Sequence, residues 1–237
     1  MSATANNVSG SCLGWTTLFL LFLSLISPWY LTTSHFEGYF GEQQCTMAQV
    51  FLWAHSVCSS SGDCEGYKVC QDGDVHAFWG EEDNHFTAVY APTFVGILLA
   101  TLVALALTLF FSIQDGPSST SLTVVKVFLL FAGLLGLLLL TAVIVYFGVA
   151  LPRAWKDNVQ DAANYVPGPW DSLLGQHTES PYGVTQTKTV WTPAGWWVAI
   201  LAWPFFLGTI ITLGFALRAT SSYTKINDAG YALLLHN

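Results

Sequence analysis

The sequence predicts an all-α transmembrane fold, a four-helix transmembrane bundle that carries a small disulfide-bonded extracellular cap containing β-structure. Three observations predict it. Of 237 residues, 53% are hydrophobic and only 9% are charged, with a mean hydropathy of +0.50, whereas a soluble domain carries roughly 25% charged residues. The apolar residues gather into four blocks, each reaching the roughly 20 residues that a helix needs to cross about 30 Å of hydrocarbon. Between the first two blocks, the polar stretch from Ser34 to Thr87 holds four of the five cysteines and carries the whole formal charge of −8.

Residues 1–12 form a small polar N-terminus without Lys or Arg, so the positive region of a signal peptide is missing. The first span, 13–31, has Trp15 near one end and Trp29 and Tyr30 near the other, where aromatic rings favour the membrane interface. Pro28 lies in its last turn. The Cys-rich loop follows at 32–87. Its apolar run Val50–Val57 reads as a strand, and Ser, Gly and Asp around the cysteines supply turns. Cys45, Cys58, Cys64 and Cys70 fit two disulfides, with all three pairings open. In so small a module each bridge contributes about 2 to 4 kcal/mol.

The second span is 88–113, and the turn 114–121 is short enough to join only antiparallel neighbours. In the third span, 122–151, Lys126 is expected to snorkel to the near interface. Ala132 and Gly136, beside Gly133, offer small residues for close helix packing. The second loop, 152–193, has no cysteine but many rings, among them Trp155, Tyr165, Trp170, Tyr182 and Trp191. These are expected to pack on the first loop. The fourth span, 194–217, opens with Trp196-Trp197 and is kinked by Pro204. In the tail, 218–237, Tyr223 to Ile226 and Tyr231 to Leu234 fit a short tyrosine sorting pattern, although a hydrophobic end docked on the membrane explains the second equally well.

Composition also limits function. Seven scattered Lys and Arg and a pI near 4.9 speak against nucleic-acid binding, which needs clustered positive charge. The six histidines, His35, His55, His76, His85, His177 and His236, all fall outside the spans, which excludes haem held between the helices. The spans contain no Asp, Glu or His, unlike those of proton-coupled or ion-coupled transporters. No nucleophile elbow, zinc-protease helix or phosphate-cradling loop is present, so neither an enzyme nor a cofactor is expected. Asp72, Asp74, Glu81, Glu82 and Asp83 are weak candidates for calcium ligands, but they lack the alternation of a calcium loop and read better as a solvated rim. The expected interaction surface contains Trp53, Trp79, Trp155 and Trp170.

Disulfides need an oxidising compartment. That places both loops outside and both termini in the cytoplasm, in the plasma membrane or another membrane of the secretory pathway. The expected partners are the lipid bilayer and either a membrane protein or further copies of this chain. An accessory subunit of a channel, receptor or other membrane complex is the alternative.

Cysteines confined to a long first loop, a very short turn from Ile113 to Leu122 and a second loop without cysteine resemble the claudin and peripheral-myelin-protein superfamily. There a Gly-Leu-Trp precedes a pair of cysteines. Here Phe51-Leu52-Trp53 precedes Cys58, and eleven residues separate Cys58 from Cys70. The resemblance implies a left-handed four-helix bundle under a small extracellular sheet, acting through lateral or cell-to-cell contacts rather than catalysis.

Overall fold

The structure is a computed structural model that describes residues 3–37, 43–61, 69–74, 84–113, 120–159, 175–179, 185–191 and 193–234. Among the described residues, helix α1 (Ala3–Ile26) is followed by strands β1 (Tyr30–Glu37), β2 (Gln43–Val50), β3 (Ala54–Ser61) and β4 (Val69–Asp74), helices α2 (Asn84–Ile113) and α3 (Thr120–Val159), strands β5 (Gly175–Glu179) and β6 (Thr185–Trp191), and helix α4 (Ala194–Leu234). All four helices are long and apolar enough to cross a bilayer, through Val8–Ile26, Ala88–Ile113, Thr123–Leu151 and Ala194–Arg218. The chain is thus built as an integral membrane protein. It divides into two compact units.

The first unit comprises Met1–Phe22, Leu98–Thr141 and Ile200–Asn237. Here each helix packs on its neighbours through small residues. Gly10 of α1 faces Phe111 of α2, Gly133 of α3 faces Ile210 of α4 and Leu107 of α2, and Gly208 of α4 faces Leu13 of α1. A Cβ on Gly136 would stand 3.1 Å from both Phe206 and Val103, so α3 approaches two helices at once there. Gly133 and Gly136 are buried, while Ala132 is only partly so. Of the three small residues expected to allow close packing, Gly133 and Gly136 make the closest approaches. Polar groups inside the span are satisfied locally. The buried hydroxyls of Thr17, Thr108 and Thr209 donate to the carbonyls of Leu13, Ala104 and Phe205, one turn back on their own helices. Trp203 Nε1 donates to Thr141 Oγ1 at 2.8 Å, linking α4 to α3.

Lys126 lies three residues inside the span Thr123–Leu151. It is only 3% exposed, because it falls in seven-residue register with Gly133, Leu140 and Phe147, all of them buried on α3.

The second unit, Leu23–Ile97 with Ala142–Ala199, holds the sheet. Its six strands are all antiparallel, in the order β4-β3-β2-β1-β6-β5. Strand β6, from the second polar segment, pairs along β1, from the first, with Leu31 opposite Trp191 and Glu37 opposite Thr185. Both polar segments therefore lie on one side of the membrane spans.

Two expectations are corrected here. Helix α1 ends at Ile26, short of the expected Leu31, after a last backbone bond from Ser27 to Leu23 of 2.9 Å. Pro28 has no N–H to continue the ladder and disfavours helix at the residue before it. Likewise Val50–Val57 is not one strand. β2 stops at Val50, the chain turns through Phe51–Trp53 with Phe51 N–H donating to Ala54 O at 2.8 Å, and β3 begins at Ala54. The turn lacks Gly, Pro or Asn, which is why residue type did not announce it. Leu52 is buried at its tip, 3% exposed, and that burial stands in for turn chemistry.

Trp29 and Tyr30 are not interfacial rings either. Both are buried and form the core of this unit. Trp29 meets Phe147 edge-on at 4.7 Å, and Tyr90 meets the same ring at 5.9 Å. Trp29 Nε1 donates to Ser24 O, Ser24 Oγ donates to Gly195 O, and Gly195 N–H donates to Pro28 O. Any Cβ at position 195 would collide with the Trp29 indole, so only glycine lets the start of α4 close over this ring.

Candidate functional site

The sheet gathers the polar side chains. Because side chains alternate between faces along a strand, the register places Thr189, Thr33, Met47, Cys58 and Cys70 in one row across five strands. A second row on the same face runs through Thr187, His35, Cys45 and Ser60, and a third through Trp191, Leu31, Gln49, Ser56 and Asp72. On this face Thr33, His35, Gln49 and Ser56 are partly exposed, whereas Cys45, Cys58 and Ser60 are buried.

At one end of the first row the disulfide Cys58–Cys70 joins residues directly opposite each other on β3 and β4, with Cα atoms 4.0 Å apart. Cys45 is also disulfide-bonded, Cys12 is free and exposed, and Cys64 lies outside the described residues. The Cys58–Cys70 bridge holds an edge strand. β4 is short and carries the exposed residues Cys70, Gln71 and Asp72, and a charged edge blunts indiscriminate pairing with other strands.

Of the four tryptophans expected to form a contact surface, Trp53 is exposed on the β2–β3 turn. Trp155 lies on α3 with its side chain outside the description, and Trp79 and Trp170 lie outside the described residues. The four are therefore not seen to converge. Trp53 instead stacks beside Phe51, with centroids 6.2 Å apart, and sets its edge against Phe94 of α2 at 6.1 Å. The spacing of the sequence gave no warning of Phe94, which lies in an uninterrupted apolar helix.

Among the weak calcium candidates, Asp72 is exposed on β4 and Asp74 pairs with Ala54 at the end of the same strand, while Glu81, Glu82 and Asp83 lie outside the described residues. Among the described residues no group of three metal-ligating side chains comes together. Beneath the sheet, burial pushes the Tyr30 phenol well above its ordinary pKa of 10.0, and the neighbouring Tyr90 adds to the shift. What the described residues offer is a hydrogen-bonding sheet face, a polar edge strand and an aromatic ledge. In comparison with known proteins, no family model and no curated sequence matches the chain.

Proposed function

We propose that the chain is a multi-pass membrane protein of contact rather than catalysis, acting through an extracellular sheet in lateral or cell-surface interactions. The architecture is in keeping with the resemblance to the claudin and peripheral-myelin-protein superfamily. The observation that carries the reading is the pairing of β6 with β1, which commits both polar segments to a single pinned surface. A face that exposes Thr33, His35, Gln49 and Ser56 beside one polar edge suits recognition of another protein surface. In this reading both termini are cytoplasmic, the membrane is that of the cell surface or secretory pathway, and the partner is a membrane protein or a second copy.

The test places a photo-crosslinking residue at Gln71 or Asp72 on β4, or at Phe131 on the exposed side of α3, in cells carrying two differently tagged copies. Crosslinks from β4 to the second copy or to one defined surface protein support contact through the sheet. Crosslinks from Phe131 with none from β4 sink it, and favour instead an accessory subunit held in a larger complex through its spans.

A further inference from the structure

The turn Phe51–Trp53 is unusual in its position. It connects two strands, yet Trp53 touches Phe94, which lies six residues inside the span Ala88–Ile113. At 1.5 Å per residue that is about 9 Å along the helix from Ala88. Trp53 is 44% exposed, although Leu52 beside it is buried and Phe51 is partly so. The stretch Val50–Ala54 contains no charged residue, so nothing in the turn resists leaving water.

Two other exposed rings of the same unit mark a similar level. Tyr146 is 41% exposed and donates from its hydroxyl to the carbonyl of Ala88, the first residue of that span, at 2.8 Å. Trp197 is 51% exposed, three residues into the span Ala194–Arg218. Tyr and Trp at the ends of spans sit where the polar tip meets headgroups and the ring meets acyl chain. Trp53 completes that set from the sheet rather than from a helix.

We propose that the Phe51–Trp53 turn is a bilayer anchor, in which the exposed face of Trp53 lies against phospholipid in the interfacial layer of the sheet-side leaflet and moors the sheet to the membrane. This goes beyond the contact function and does not depend on it. It assigns Trp53 to lipid and leaves the polar face and β4 for a protein partner. A moored sheet presents that face at a fixed height, which lowers the ordering cost of any contact it makes.

The test uses the full chain in phosphatidylcholine vesicles with Cys12→Ser, so that the disulfides remain and Trp53→Cys supplies the single reactive thiol for a nitroxide label. Asp72→Cys in the same background is the aqueous control. The expected result is collision with oxygen over a water-soluble nickel chelate several-fold greater at position 53 than at position 72. Nickel access at 53 equal to that at 72 overturns the anchor. Protection from both reagents also overturns it, because protein then covers the ring. Since Trp53→Cys removes the ring itself, the unsubstituted chain is also labelled with a phosphatidylcholine carrying a photoreactive group just below its headgroup. Adducts on the peptide containing Phe51–Trp53 are expected, and adducts on the helices with none on that peptide contradict the proposal.

Discussion

At the scale of single residues, the helix ladder of α2 is broken and repaired by different elements. Pro92 lies inside α2 and cannot donate to the carbonyl four residues before it, which belongs to Ala88. The Tyr146 hydroxyl from α3 fills that acceptor at 2.8 Å, as backbone groups freed in a membrane helix require. Tyr146→Phe should therefore cost about 1 kcal/mol, and much less in a Pro92→Ala background, where the backbone supplies the bond. A denaturation double-mutant cycle in detergent reads the difference, and equal costs in the two backgrounds would refute the pairing. Tyr30 makes a second case. Its phenol titrates in the folded state well above 10.0, so its contribution is complete below the unfolded pKa and is lost as pH rises towards the folded one. Stability measured upward from pH 9 should fall, and Tyr30→Phe should flatten that fall. An unchanged slope in the variant would show that another group governs it.

At the scale of elements, the disulfide Cys58–Cys70 closes a short loop, its ends 12 apart in sequence. The chain-entropy estimate for a loop of that size is about 3 kcal/mol. Replacing both cysteines with alanine should lower thermal stability accordingly and loosen β4 first, since β4 pairs only with β3 among the described strands. Hydrogen exchange checks this through amides of Val69–Asp74 that lose protection ahead of those of β1. Uniform loss across the sheet would argue against a local staple. Much of the element plan was legible. Four apolar blocks became four helices, because backbone groups in hydrocarbon must bond within their own segment, although α3 and α4 run past their spans, and the cysteine spacing marked the stapled region. The Phe51–Trp53 turn was not legible, since burial of Leu52 rather than turn residues bends the chain. Nor was the fate of Trp29 and Tyr30. Aromatic rings next to an apolar block suit an interface and a core equally, and only Phe147 and Gly195, distant in sequence, decide for the core.

At the scale of the whole molecule, the second polar segment held the largest gap between sequence and structure. It was read as a ring-rich loop lying on the first, whereas its described part extends α3 to Val159 and adds β5 and β6 to the sheet. Backbone pairing with β1 cannot be read from Thr185–Trp191 alone, because its register depends on a partner more than a hundred residues earlier. That pairing is the central claim. It makes one surface from two segments, sets both on one side of the spans and supplies the face assigned to contact. The most direct measurement is a cross-strand disulfide between Thr33→Cys and Thr189→Cys, which are direct register partners, in a Cys12→Ser background. The short segment 114–119 is replaced by a protease site so that cleavage separates the two halves of the chain. After mild oxidation and cleavage in membranes, the halves should remain joined until reductant is added, and a control pair moved to Thr33→Cys with Thr185→Cys should not join. Halves that separate without reductant, or join equally in the control, would contradict the shared sheet.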